Sequence, residues 1–310
     1  MTLKSYIDFV VERLSPLYPE QECRAVAVRI LKECISGYRG YEHLVEPGRE
    51  LGEFVLAAPW QECLARDFMI GAVERLSTGE PLQYVLGYEW FCGHRFKVAP
   101  GVLIPRPETE ELVREVVESA DAGAPLRILD ICTGSGCIAW SVAAQLPGAG
   151  VYGCDISEAA LEIARRQDGM PAGSKVEFFG CDVLAGDALE RIVQVCGEEK
   201  FDIIVSNPPY VCESEKALMQ RNVLDFEPGL ALFVPDDDPL RFYRKIARLS
   251  GKLLGEGGRL FFEINERFGS ETVQMMLQES FEGCRIINDI FGKERIVAGV
   301  RKNDYIYNRL

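Results

Sequence analysis

The sequence predicts an α/β protein, because from about Pro107 onward short apolar strand-like runs alternate with helical segments. This alternation is typical of a mostly parallel sheet that helices cover on both faces. A glycine-rich turn follows the first of these strands, and polar residues recur at the ends of later ones. Ligands bind at the carboxyl ends of the strands in such sheets, so we expect a binding site there.

Composition limits the possible functions. The 310 residues can form one large domain and one small domain, and the net charge of -14 argues against affinity that comes mainly from neutralising phosphates. The eleven cysteines are an odd number without any C-x-x-C pair, a pattern typical of reduced thiols. With only two histidines and no signal-like or membrane-spanning run, we expect a soluble cytoplasmic protein with no metal site.

Four segments follow one another along the chain. They are a helical domain, a β-hairpin linker, a larger catalytic domain and a tail, at residues 1–78, 79–106, 107–302 and 303–310. In the first, apolar residues repeat at helical spacing, and a further helix is predicted over 60–76. In the linker, β-type runs at 83–87 and 95–98 flank a turn at 92–94.

The larger domain contains the alternating elements. Its predicted strands are 127–131, 151–155, 175–179, 201–205 and 258–264. Its predicted helices are 137–146, 157–166, 185–196, 239–254 and 271–278. Two final runs, 284–287 and 295–300, predict a closing β-hairpin.

The first strand of this domain leads into Cys132-Thr133-Gly134-Ser135-Gly136 at the start of a helix. Gly134 and Gly136 allow the backbone to approach a ligand closely, and the helix start exposes N-H groups. Asp155 follows nineteen residues after Gly136 and is placed to bind ribose hydroxyls. The pattern indicates a nucleoside-bearing cofactor, although the spacing also fits a nicotinamide dinucleotide.

The third strand ends in Asp182-Val183. The carboxylate could accept an adenine amino group while Val183 packs on the ring, so that Asp155 and Asp182 would hold the two halves of adenosine. This recurrence of acidic residues at successive strand ends favours an adenosine-containing cofactor.

The fourth strand ends in the turn Asn207-Pro208-Pro209-Tyr210. The two prolines fix their own φ angles and keep Asn207 out of helical geometry. The Asn207 side chain offers one acceptor oxygen and two donor hydrogens without charge, which suits a planar amino or amide group. We therefore expect this turn to bind the group that reacts.

Together these motifs resemble an S-adenosylmethionine-dependent methyltransferase that acts on a planar nitrogen, a group that includes adenine N6 methyltransferases. Further strings narrow the resemblance to the HemK family, the peptide chain release factor N5-glutamine methyltransferases. These strings are Gly79-Glu80-Pro81-Leu82-Gln83-Tyr84, Leu103-Ile104-Pro105-Arg106-Pro107-Glu108-Thr109-Glu110, Phe226-Glu227-Pro228 and Gly292-Lys293-Glu294-Arg295. The resemblance covers nearly the whole chain and implies a Rossmann-like, seven-stranded methyltransferase sheet.

The resemblance also implies site residues. S-adenosylmethionine would contact Cys132, Thr133, Gly134, Ser135, Gly136, Asp155, Asp182, Val183 and Asn207. The substrate glutamine would lie against Asn207, Pro208, Pro209 and Tyr210, with Asn207, Pro208 and Tyr210 acting in catalysis. Two positions depart from the family pattern, because Cys132 and Asn265 stand where glycine is usual.

Other roles stay open at this stage. Arg106, Glu108 and Thr109 could shape the pocket or form a buried salt bridge, and the role of the Glu263 segment is not defined. The helical domain could recognise the release factor or act as a lid. The alternative function is adenine N6 methylation of nucleic acid, which the acidity and the lack of a basic patch disfavour.

Overall fold

The computed structural model describes residues 3–36, 66–120 and 126–302. The chain divides into two compact units, residues 1–87 with 221–226 and residues 88–220 with 227–310. In chain order the helices are α1 (Leu3–Leu14), α2 (Glu20–Ser36), α3 (Arg66–Ser77), α4 (Leu82–Leu86), α5 (Pro107–Ser119), α6 (Cys137–Gln145), α7 (Glu158–Arg165), α8 (Ala188–Cys196), α9 (Arg221–Phe226), α10 (Arg241–Leu253) and α11 (Gly269–Gln278).

The strands are β1 (Tyr88–Phe91), β2 (His94–Lys97), β3 (Arg127–Ile131), β4 (Gly150–Asp155), β5 (Val176–Gly180), β6 (Phe201–Ser206), β7 (Val211–Cys212), β8 (Phe233–Val234), β9 (Leu254–Glu263), β10 (Phe281–Asn288) and β11 (Glu294–Arg301). Strands β3 to β6, β10 and β11 match the predicted strands to within a few residues, and β9 begins four residues before the predicted start. The two-residue strands β7 and β8 were not predicted.

The first unit is helical, as predicted. Helices α1, α2 and α3 enclose a core that contains Tyr6, Leu31 and Met69, each fully buried. The Tyr6 hydroxyl donates a hydrogen bond to the Met69 carbonyl at 3.0 Å and so joins α1 to α3. Residues 60–65 of the predicted third helix and the predicted tail, 303–310, lie outside the described residues.

The prediction of a strand over 83–87 was wrong, because Leu82–Leu86 form helix α4. Pro81 precedes the helix, and Leu82, Val85 and Leu86 follow helical spacing and pack against the helical core. Gly87 ends the helix in the left-handed conformation, with its N-H bonded to the Gln83 carbonyl at 2.8 Å. The first unit therefore extends to Gly87, beyond the predicted boundary at 78.

The hairpin itself lies at β1 and β2, which pair antiparallel with Phe91 opposite His94. The two residues between them, Cys92 and Gly93, have φ angles of 48° and 77°. Two successive positive φ angles fit the mirror-image turns that match strand twist. The turn predicted at 92–94 is therefore confirmed, with strands shifted to 88–91 and 94–97.

The main sheet has seven strands in the order β10-β11-β9-β6-β3-β4-β5. Strands β9, β6, β3, β4 and β5 are parallel, and β10 and β11 form an antiparallel hairpin at one edge. The predicted α/β fold with a Rossmann-like, seven-stranded sheet is confirmed. The strand order reverses between β3 and β6, and such a switch point opens a crevice at the carboxyl ends of the strands.

Alternate residues along the strands face two separate cores. Leu129 and Ile204 face a core built with α8, α10 and α11, whereas Ile128 and Ile203 face a core built with α5, α6 and α7. This is the arrangement of helices on both faces of a parallel sheet. None of the helices within the described ranges is long and apolar enough to cross a membrane.

Helix α5 was not predicted from the sequence patterns. It begins with Pro107, has acidic residues in its first turn, and buries Leu112, Val113 and Val116 against the sheet. The proline and the acidic residues are typical of a helix start, and the spacing of the buried residues is typical of an amphipathic helix. The helix matters for the site because its first turn carries Thr109.

The turn between β3 and α6 is built around Asp130, which is fully buried. Its Oδ2 accepts hydrogen bonds from Thr133 Oγ1 at 2.6 Å and from the Ala139 N-H at 3.2 Å. Its Oδ1 has no hydrogen-bond partner among the described residues. Burial raises the pKa of Asp130 to about 7, and the bonds from Thr133 and Ala139 only partly offset this effect.

Replacing Asp130 with Asn should change the pH dependence of stability. Because the pKa of Asp130 is higher in the folded state than in the unfolded chain, its contribution is fully present below about pH 4 and is lost as the pH rises through about 7. The free energy of unfolding of the wild type, relative to D130N, should therefore fall by roughly 1 to 3 kcal/mol between pH 5 and pH 8. Urea titrations of both proteins at the two pH values measure this, and a constant difference would contradict it.

Two glycines of this turn should differ in their tolerance of alanine. Gly136 and Gly134 both have positive φ, 78° and 54°, so that either substitution introduces strain of roughly 1 to 2 kcal/mol. A Cβ on Gly136 would lie 2.9 Å from the Phe178 ring, whereas one on Gly134 meets nothing within 4 Å. Urea unfolding without cofactor should show G136A less stable than G134A by roughly 1 to 3 kcal/mol. Equal losses of stability in the two variants would show that the contact with Phe178 does not contribute to the difference.

Candidate functional site

A cavity of about 210 Å³ lies at the carboxyl ends of β3, β4, β5 and β6. It brings together most of the residues that the sequence predicted for the site. Those that line it are Cys132, Thr133, Gly134, Ser135, Asp155, Asp182, Val183, Asn207 and Pro209. They come from four strand ends, so the sheet topology assembles the site.

Three predicted site residues lie outside this lining. Gly136 is the N-cap of α6 and is buried against Phe178. Pro208 is buried within its turn, and Tyr210 is half-buried with its hydroxyl directed to Glu263. Their predicted roles in cofactor binding, catalysis and substrate binding therefore stay predictions.

Asp155 joins the end of β4 to the glycine turn. Its Oδ2 accepts a hydrogen bond from the Gly134 N-H and its Oδ1 accepts one from the Ser157 N-H, both at 2.9 Å. Burial raises the pKa of Asp155, and these backbone donors oppose that rise. Each carboxylate oxygen keeps further lone pairs, so the side chain can still accept bonds from hydroxyl groups of a ligand.

Cys132 occupies a position that favours glycine. Its φ is 63°, in the left-handed region. A residue with a Cβ is less stable there than glycine by roughly 1 to 2 kcal/mol. This conformation gives a physical reason for the glycine that is usual at this place in the pattern. The backbone still follows the tight path that the turn requires.

Asp182 and Val183 lie just after the carboxyl end of β5, as Asp155 lies at the carboxyl end of β4. Asp182 is exposed and accepts a hydrogen bond from the Leu184 N-H at 2.9 Å, while Val183 is buried. A carboxylate beside an apolar side chain can accept a bond from an amino group while the ring that carries it packs on the apolar surface.

The turn after β6 is connected to two other elements by buried and partly buried hydrogen bonds. Asn207 Nδ2 donates to Thr109 Oγ1 at 3.3 Å, and Thr109 Oγ1 donates to Glu263 Oε2 at 2.6 Å. The Tyr210 hydroxyl donates to the other oxygen of Glu263 at 3.0 Å, and burial raises the pKa of Tyr210. Thr109 and Glu263 thus connect the start of α5 and the end of β9 to this turn.

Asn265 supports the same turn from the end of β9. Its Nδ2 donates to the Tyr210 carbonyl at 3.2 Å and to Glu215 Oε2 at 2.9 Å, and its Oδ1 accepts from the Arg267 N-H at 3.0 Å. A glycine could make none of these side-chain bonds. The second departure from the family pattern therefore adds contacts to the turn.

Arg106 combines the two roles that the sequence left open. It lines the cavity and forms a salt bridge of 2.6 Å with Glu227, whose side chain is 1% exposed. The other Glu227 oxygen accepts a hydrogen bond from the Ile104 N-H at 3.0 Å. Arg106 and Glu227 are 121 residues apart in sequence, and this salt bridge therefore joins the two segments that contain them at the cavity.

The apolar wall of the cavity was missed. Its side chains come from segments without a strand-end signal, namely Val102, Leu103, Pro228, Leu230 and Phe242. Leu103 and Pro228 belong to two of the strings that carry the resemblance, and these strings were the available indication, although neither residue was assigned a role. A cavity lined by both apolar side chains and two carboxylates suits a ligand with a flat ring and several hydroxyl groups.

Comparison with known proteins places the chain in a family. Residues 109–225 match the family described as Methyltransferase small domain. The release factor glutamine methyltransferase of Bacteroides thetaiotaomicron is 45% identical over 94% of this chain and 98% of its own length. The enzyme of that name from Flavobacterium psychrophilum is 37% identical over 96% of this chain and 98% of its own length. Because both similarities extend over nearly the full length of each protein, this chain belongs to the release factor glutamine methyltransferase family.

Proposed function

We propose that this enzyme transfers a methyl group from S-adenosylmethionine to the side-chain amide nitrogen of the glutamine in the Gly-Gly-Gln motif of peptide chain release factors. The observation that carries the proposal is the position of Asn207, which lines the same cavity as the glycine turn and Asp155. A side chain that can bind an amide and residues that can hold a nucleoside would therefore share one pocket. The names of the relatives at 45% and 37% identity agree with this activity.

The residues of the cavity fit S-adenosylmethionine. Asp155 would accept bonds from the ribose hydroxyls, Asp182 would accept one from the adenine amino group, and Val183 would pack on the ring. The backbone of the turn at Cys132–Ser135 would hold the amino acid portion of the cofactor. When bound, the cofactor supplies a methyl group on a positively charged sulfur.

Asn207 and Pro208 would position the substrate. An amide nitrogen is a poor nucleophile because its lone pair is delocalised. If Asn207 Oδ1 and the Pro208 carbonyl each accept one N-H of the glutamine, they fix the nitrogen in line for attack and stabilise the positive charge that develops on it. Pro209 would keep the slot rigid, and Tyr210 would hold the turn in place through Glu263. The proton can then leave to solvent.

The helical unit would recognise the release factor, because a glutamine side chain alone cannot identify the protein that carries it. The alternative is that this unit shields the pocket from water.

Since release factors act on ribosomes, we propose that the enzyme works in the cytoplasm.

Replacing Asn207 with Ala should abolish turnover while cofactor binding is retained. Loss of a hydrogen-bonding group that acts in the transition state typically costs at least about a hundredfold in rate. Transfer from methyl-labelled S-adenosylmethionine to a purified release factor measures the rate, and calorimetry measures cofactor affinity. Asn288, which is exposed at the end of β10, provides the matched control, and N288A should react like the wild type.

The substrates in the same assay separate the possible functions. Label on the intact release factor, but not on a factor whose motif glutamine is replaced by alanine, would support the proposal. Label on duplex DNA would instead support adenine methylation. Cofactor binding without label on either substrate would contradict the proposed activity. Parallel losses of turnover and cofactor affinity in N207A would contradict the role given to Asn207.

A further inference from the structure

The Asn207 amide is held by a chain of two hydrogen bonds, and in each bond the donor and the acceptor are determined by the residues involved. Asn207 Nδ2 lies 3.3 Å from Thr109 Oγ1, and Thr109 Oγ1 lies 2.6 Å from Glu263 Oε2. Thr109 and Glu263 are only 2% and 1% exposed. Water is therefore a poor competitor for these bonds.

The Glu263 carboxylate determines which group donates in each hydrogen bond of this chain. An ionised carboxylate only accepts hydrogen bonds, and a threonine hydroxyl has a single hydrogen to donate. Thr109 gives that hydrogen to Glu263, so only its lone pairs are available to Asn207. Those lone pairs require a donor, which on Asn207 is the Nδ2 group.

We propose that Glu263, acting through Thr109, fixes the orientation of the Asn207 amide so that Oδ1 is the atom presented to the substrate nitrogen. The inference rests on the proposed function, because the orientation matters only if the substrate offers N-H groups. With the amide reversed, the NH2 group of Asn207 would face the NH2 group of the glutamine, and two donors cannot bond to each other. Thr109 and Glu263 are thus positioning residues.

The hydrogen bonds around Glu263 are those of an ionised carboxylate. Burial raises the pKa of Glu263 and the charge of Glu108 adds to that rise, while the hydrogen bonds from Thr109 and Tyr210 and the positive charge of Arg295 oppose it. Both carboxylate oxygens accept a hydroxyl donor and neither donates, which is the pattern of an ionised carboxylate, since that group has no proton of its own to give. Arg295 itself is fixed by an ion pair with Asp289 at 3.2 Å.

The alternative reading is that Thr109 and Glu263 only stabilise the fold. Such a role would change stability and leave the rate of the folded enzyme unaltered. Thr272 in α11 allows the two readings to be separated, because it is also buried and its hydroxyl also donates a hydrogen bond, to the Phe268 carbonyl at 2.7 Å. Thr272 does not line the cavity.

The test compares Thr109→Val, Thr109→Ser and Thr272→Val. Valine keeps the shape and removes the hydroxyl, whereas serine keeps the hydroxyl. We expect T109V to lower kcat for release factor methylation by about tenfold or more, since one hydrogen bond of ordinary strength corresponds to about that factor. T109S should recover most of the rate, T272V should match the wild type, and the cofactor Kd should be similar in all three variants. Equal kcat in T109V and T272V would overturn the inference.

A second measurement does not depend on activity. In the wild type with S-adenosylmethionine, NMR should show the Asn207 side-chain NH2 with one hydrogen shifted and protected from exchange by its bond to Thr109. T109V should lose this signature and T272V should keep it. An Asn207 NH2 that exchanges freely in the folded wild type would overturn the inference even if T109V failed to fold. If the wild type methylated no release factor, the proposed function would fail, and this NMR result would still decide the orientation of Asn207.

Discussion

The site depends above all on the buried carboxylate of Glu263. A charge that is 1% exposed is stable only when hydrogen bonds and nearby opposite charge replace water, because an uncompensated buried carboxylate costs several kcal/mol. Glu263 ends β9 and takes its donors from Thr109 at the start of α5 and from Tyr210 after β6. The requirement to satisfy one carboxylate thus fixes three chain segments against one another, and the Asn207 turn lies among them.

The sheet could be predicted because its signals are local. Apolar runs, glycine turns and helical spacing each involve only a few neighbouring residues, and strand-end polar residues such as Asp155 and Asn207 follow from the same pattern. The strand predicted at 83–87 failed because its apolar residues also fit helical spacing, and burial against the helical core decided between the two. The contact between Thr109 and Glu263 joins residues 154 positions apart, and no local pattern encodes it.

The two departures from the family pattern have different physical consequences. Cys132 adopts the left-handed conformation that glycine favours, so the turn keeps its path at some cost in backbone strain. Asn265 instead gains contacts, because its amide bonds to the Tyr210 carbonyl and to Glu215. One substitution is tolerated by the backbone, and the other stabilises the Asn207–Tyr210 turn through its side chain.

A crystal structure of the enzyme with S-adenosylhomocysteine and a peptide that contains Gly-Gly-Gln would show directly how Asn207 and Pro208 hold the substrate amide. We expect the glutamine amide nitrogen to lie about 3 Å from both Asn207 Oδ1 and the Pro208 carbonyl oxygen, with Asn207 Nδ2 facing Thr109. A glutamine bound elsewhere, or an Asn207 amide whose Nδ2 faces the glutamine nitrogen, would contradict it.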